Sequence, residues 1–158
     1  MKVRDLMKTK FISASSDTKF QDLWQIIFKK HFHAIPITDD KNKLVGVVSE
    51  EDLLVRLYPS YQDFLEEFKN INEFEEMEDN LPDLFKLEAR DVMNKHIYTA
   101  SSDTPALHAL SQMMLHKVRT LPVVDDDEKI IGMISKGDIF DALFEKYIHV
   151  VKAIRKKK

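Results

Sequence analysis

The chain writes one passage twice. Ala14-Ser15-Ser16-Asp17-Thr18 recurs as Ala100-Ser101-Ser102-Asp103-Thr104. A constant shift of 86, the interval from Arg4 to Arg90, also pairs Arg4-Asp5 with Arg90-Asp91, Met7 with Met93 and Pro36 with Pro122. It pairs Asp39-Asp40 with Asp125-Asp126, Gly46 with Gly132, Ser49 with Ser135 and Asp52 with Asp138, with no gap from about residue 3 to 54. Both copies must therefore take one fold. Two copies are too few for a solenoid, so they are expected to face each other as a pseudo-symmetric pair.

Each copy carries the same succession of signals. Phe11-Ile12 and Ile97-Tyr98 open short extended segments. Thr18 and Thr104 are candidate helix N-caps, with Pro105 in a first turn where its missing N–H is tolerated. Phe20, Leu23, Trp24, Ile27 and Phe28 then mark one apolar helix face, repeated as Ala106, Ala109, Leu110, Met113 and Met114. Core packing is the expected role of the tryptophan and methionines. AIPIT and LVGVV flank the acidic turn at Asp39-Asp40, and TLPVV and IIGMI flank its counterpart, so each copy holds a hairpin-like strand pair. A further helix opens after Ser49 and Ser135. The order strand, helix, strand, strand, helix places the chain in the α/β class.

The repeat divides the 158 residues into a first module (1–57), an insert (58–88), a second module (89–148) and a basic tail (149–158). The insert is acidic, and Phe64, Phe68, Ile71 and Phe74 fall at helical spacing, predicting an amphipathic helix broken near Asn80-Leu81-Pro82. Its role is read as a cover over the module or a second subunit. A net charge of −3 argues against general nucleic-acid binding, and the terminal Arg155-Lys156-Lys157-Lys158 reads as a solubilising tail. The chain has no cysteine, which excludes disulfides and thiolate chemistry. With no signal-peptide pattern and no apolar run of about 20 residues, a soluble, cytoplasmic protein without a membrane span is expected.

The chemistry concentrates in Gly-x-x-Ser-x-x-Asp, at Gly46, Ser49 and Asp52 and again at Gly132, Ser135 and Asp138. Serine followed three residues later by an acid is close to a helix capping box. Its recurrence suits a second use. Free N–H groups and a serine hydroxyl at a helix start suit phosphate, and a carboxylate one turn on suits the paired hydroxyls of a ribose. The glycine would let a ligand approach the strand closely.

In order and spacing, FISASSDT, HAIPITDD and LVGVVSEED, then IYTASSDT, RTLPVVDD and IIGMISKGD, resemble a tandem pair of CBS domains (the cystathionine-β-synthase domain). The resemblance implies two three-stranded sheets with helices in a pseudo-two-fold module, with ligand clefts between the repeats. It implies an adenine nucleotide such as AMP, ADP or ATP as ligand, no required cofactor, and homodimerisation. By position, Asp52 and Asp138 would hold ribose, and Ser49 and Ser135 would lie near phosphate. Val47 and Met133 would flank adenine, with strand and apolar contacts from Ile12, Ile97 and Tyr98. His33-Ala34 and Arg119-Thr120 would face phosphate. Arg119 and Lys136 favour the second site, whereas Glu50 and Glu51 oppose an anion at the first.

The resulting expectation is a stand-alone regulatory module that reports nucleotide level to an unknown partner protein by a change of shape or association. The alternative is an interaction or dimerisation module whose serines and aspartates serve only as caps. Catalysis is not expected. No serine–histidine–acid order, P-loop, glycine-rich dinucleotide loop or HExxH motif occurs, and His31 and His33 alone are too few for a metal site.

Overall fold

A computed structural model describes residues 1–57 and 81–155, with side chains as far as Ile148. The amphipathic helix expected through Phe64, Phe68, Ile71 and Phe74 lies outside the described residues. Contacts divide the chain into two units, one of residues 12–97 and one of residues 1–11 with 98–158. The segment preceding each ASSDT word thus belongs to the unit built around the other copy.

In the unit of residues 12–97, helix α1 (Phe20–Trp24) runs into a π-helical turn over Gln25–Lys29. Strands β1 (Ala34–Thr38) and β2 (Leu44–Ser49) pair antiparallel, with Ala34 opposite Ser49 and Pro36 opposite Val47. Short helices α2 (Glu50–Leu54), α3 (Leu81–Leu84) and α4 (Ala89–Val92) follow among the described residues. Phe20, Leu23 and Ile27 meet Ile35, Ile37, Val48, Leu53, Ala89 and Val92 in one core. Trp24 departs from the expected face. It is 38% exposed, with the Lys29 ammonium 5.3 Å from its ring centroid, because the buried stripe takes i, i+3 and i+7 and leaves i+4 at its edge. The expected leading strand shrinks to a single parallel bridge between Ala14 and Ile37, so among the described residues this sheet has two strands rather than three.

The other unit keeps all three strands. β3 (Ala100–Ser101) lies parallel to β4 (Thr120–Val124), which pairs antiparallel with β5 (Ile130–Ser135). β3 begins at Ala100, later than the expected Ile97-Tyr98. Helix α5 (Ala106–Leu115) buries Ala106, Ala109 and Met113 against Leu121, Val123, Ile134 and Ile139, and Val3 of the leading segment joins this core. Met114 points outward instead of into the core. Helix α6 (Lys136–Arg155) continues through most of the segment read as a basic tail.

The ASSDT words close turns instead of capping helices. The Thr18 hydroxyl accepts the Ser15 N–H and that of Thr104 accepts the Ser101 N–H, each at 3.1 Å. Each following helix starts two residues later, with Lys19 and Pro105 as N-caps that give no side-chain bond. A threonine hydroxyl already committed to a turn N–H is not available for the helix. The hairpins also repeat in detail. Asp39 Oδ1 accepts the N–H groups of Lys41 and Lys43, and Asp125 Oδ1 accepts those of Asp127 and Lys129.

Among the described residues, four non-glycine residues hold left-handed backbone, with φ of 60° at His31, 62° at Asn42, 56° at Lys117 and 63° at Glu128. They form two pairs at the repeat shift. A left-handed side chain crowds its own carbonyl, so Lys117→Gly is expected to stabilise the chain by about 0.5–1 kcal/mol, net of the glycine's unfolded-state entropy. A urea midpoint unchanged or lowered by the substitution would contradict this.

Candidate functional site

The two Ser–Asp pairs have nearly the same geometry. At the end of β2, Asp52 Oδ2 accepts the Ser49 N–H and the Ser49 hydroxyl, both at 2.7 Å, while Ser49 Oγ accepts the Asp52 N–H at 3.4 Å. At the end of β5, Asp138 Oδ2 accepts the Ser135 N–H at 2.9 Å and the Ser135 hydroxyl at 2.5 Å. Ser135 Oγ accepts the Asp138 N–H at 3.1 Å. Both are complete capping boxes, and in each one carboxylate oxygen carries the cap. The other oxygen is where the two copies part. Among the described residues nothing bonds Asp52 Oδ1, whereas the Lys8 ammonium lies 2.8 Å from Asp138 Oδ1.

The glycines serve the protein's own packing rather than an approaching ligand. A Cβ on Gly46 would overlap the Met93 thioether, and one on Gly132 would lie 2.9 Å from Met7 Sδ and 3.1 Å from the Lys8 carbonyl oxygen. Each leading segment is pinned there by a backbone bridge, Val47 with Asn94 and Lys8 with Met133. The glycine is needed because a methionine lies across the strand at that point.

Of the remaining expected site residues, Ala34 and Val47 are half-buried on neighbouring strands beside Ser49, and His33 is exposed just ahead of β1. Ile12 and Ile97, both half-buried, belong to the same unit. In the other unit Thr120 pairs with Ser135 across the sheet, Met133 lies opposite Pro122, and Arg119 is exposed. The Arg119 carbonyl accepts the Lys136 N–H at 3.0 Å. Tyr98 is engaged by an unexpected neighbour. Its ring stacks on His116 with centroids 3.6 Å apart and planes 12° from parallel.

The family model for the CBS domain matches twice, over residues 3–58 and 89–145. The chain belongs to the CBS-domain family. It is a tandem CBS pair of mixed α/β fold. An uncharacterised protein of Methanocaldococcus jannaschii is 30% identical over 90% of this chain and 91% of its own length. The solved structure of CBSX2 in complex with AMP superposes with a TM-score of 0.71 at 26% identity, covering 92% of this chain and 98% of that one. CBSX2 is a CBS-pair protein from Arabidopsis thaliana. The CBS domain pair of protein MJ0100, solved with 5′-methylthioadenosine and S-adenosyl-L-methionine, shares the fold at 23% identity and a TM-score of 0.67, over 92% of this chain and 98% of that one. Among the described residues no helix is long and apolar enough to cross a membrane.

Lys8 is the CBS-pair residue that sequence reasoning missed. At the repeat shift it corresponds to Asn94, whose side-chain oxygen accepts the His96 N–H at 2.9 Å. A charge change beside the aligned methionines was the available signal. Burial raises the Asp138 carboxyl pKa, but hydrogen bonds from Lys8 and Ser135 outweigh it and hold the group below its ordinary value of 3.8. A depressed folded pKa gives stability that is present above the unfolded value and is lost as pH falls through the folded one. Asp138→Asn is therefore expected to flatten the fall in urea midpoint between about pH 5 and pH 2. A wild-type slope retained in the variant would contradict this.

Proposed function

We propose that this CBS pair is a regulatory, non-catalytic module that binds an adenosine ligand of the AMP, ADP or ATP type. Asp52 and Asp138 are its ribose acceptors, and Ser49 and Ser135, the residues expected near phosphate, also hold those carboxylates in place. The observation that carries the reading is Asp52 itself. It is a half-buried carboxylate fixed by two hydrogen bonds on one oxygen and, among the described residues, left open on the other, which suits a diol donor. The AMP complex of CBSX2, at 26% identity, supports the choice of ligand. Val47 and Met133 would flank adenine, with Ile12, Ile97 and Tyr98 as apolar contacts. His33, Ala34, Arg119 and Thr120 would lie toward phosphate. Binding would reach a partner protein by favouring one conformation or association state, to the extent that the ligand prefers that state.

The direct test is thermal unfolding with AMP, ADP, ATP and S-adenosylmethionine. A ligand at 100 times its dissociation constant adds about 2.7 kcal/mol, a rise of several degrees for a chain of this size. No shift with any of them at millimolar concentration would leave the interaction-module reading in its place.

The same reading includes a homodimer. Phe140, Phe144, Tyr147 and Ile148 are exposed at helical spacing on α6, and Leu107, Met114 and Leu115 are exposed on α5. Exposed apolar side chains of this kind on two helices of one unit suit a self-complementary contact with a second copy. Phe144→Glu is expected to convert the dimer to a monomer by light scattering. A monomeric wild type at high micromolar concentration would overturn the assignment.

A further inference from the structure

The repeats agree in strand register, in left-handed turns and in both capping boxes, and yet differ at the atom the proposed ligand would use. Asp138 Oδ1 is held by the Lys8 ammonium at 2.8 Å, and its Oδ2 carries the cap. Asp138 keeps 16% of its side-chain surface exposed and Lys8 keeps 69%, so the pair joins a largely buried carboxylate to a mobile, well-hydrated cation. Asp52 Oδ1 has no such partner among the described residues. Asn94, at the position of Lys8, is neutral, and its side-chain oxygen bonds the His96 N–H. Lys8 is positioned by its backbone, which exchanges hydrogen bonds with Met133 at 2.8 and 3.0 Å. The ammonium therefore stays within reach of Asp138 even when its side chain swings away.

We propose that Lys8 is an internal competitor for Asp138, so that a ribose diol engages that carboxylate only by displacing the ammonium, and Asp52 is filled first. The proposal rests on the adenosine-binding reading above and deepens it. It makes Lys8 a specificity-determining residue, and it reverses the ranking that Arg119 and Lys136 suggest from charge alone. A diol brings neutral donors to the carboxylate, whereas the lysine brings a full positive charge that is in place before any ligand arrives. An exchange of this kind at a partly exposed pair weakens binding by about fivefold.

Calorimetric titration with adenosine tests this, because a neutral nucleoside responds to loss of the lysine's competition but not to loss of its attraction for phosphate. Wild type, Lys8→Met, Asp138→Asn and the double variant are compared well below their melting temperatures. The expected result is one binding event in wild type and a second, at least about fivefold tighter than any wild-type counterpart, in Lys8→Met. Asp138→Asn should abolish that second event in the Lys8→Met background and leave the first untouched. Two equal sites in wild type, or unchanged or weaker adenosine binding in Lys8→Met, would overturn the competitor role and leave the adenosine-binding reading standing. No binding of adenosine or AMP to any of the four proteins would overturn that reading, and the competitor role with it.

Discussion

Replacing Gly46 by valine is expected to lower the stability of the chain by about 2–3 kcal/mol, the upper part of the range for forcing bulk into a packed interior. Gly46 is buried in β2, and a single added carbon there already overlaps the Met93 thioether and lies 2.9 Å from Met93 Cγ. The backbone cannot retreat, because Val47 and Asn94 exchange hydrogen bonds at 3.0 and 2.8 Å beside it. Met93→Ala should cost less alone, about 1–2 kcal/mol for a half-buried side chain, and should absorb part of the valine's penalty. The double variant should therefore be more stable than the sum of the single losses by about 1 kcal/mol or more. Strict additivity in denaturant unfolding would mean that the methionine is not what Gly46 accommodates.

Asp52→Ala should weaken AMP binding by about 1.5–3 kcal/mol, or roughly ten- to a hundredfold. Asp52 is a fixed acceptor, held by Ser49 on one oxygen, whose other oxygen nothing bonds among the described residues. The substitution also removes the acidic half of a capping box, so a stability loss of about 0.5–1 kcal/mol accompanies it. Calorimetry well below the melting temperature separates the two effects. Asp52→Asn keeps the shape and part of the cap, and should fall between wild type and alanine in affinity. Affinity unchanged in both variants would leave Asp52 a helix cap alone.

The repeat made most of this architecture legible, since periodicity, hairpin turns and the Ser–Asp spacing are local patterns and each was written twice. What stayed hidden depends on which segment packs on which. Nothing in Met1–Phe11 records that it joins the unit of the second copy, because an arginine, an acid and a methionine suit either strand surface. The glycines were read toward a ligand for the same reason. A need for space is visible in sequence, but its occupant, Met93 or Met7, is not. Thr18 and Thr104 looked like helix caps because a hydroxyl before an apolar face usually is one. Here the serine three residues earlier supplied a competing N–H. At the candidate site the carboxylates were legible, and the Lys8 ion pair that distinguishes them was not, since it joins residues 8 and 138.

The central claim is that a carboxylate which caps a helix also reads a ribose, and the 2′-hydroxyl is the sharpest probe of it. AMP and 2′-deoxy-AMP should be titrated calorimetrically into wild type and Asp52→Ala. Wild type is expected to prefer AMP by about tenfold, one charge-assisted hydrogen bond, and Asp52→Ala should lose that preference, weakening 2′-deoxy-AMP less than it weakens AMP. Equal affinity of the two nucleotides for wild type, or a preference that survives in Asp52→Ala, would contradict ribose recognition by this carboxylate.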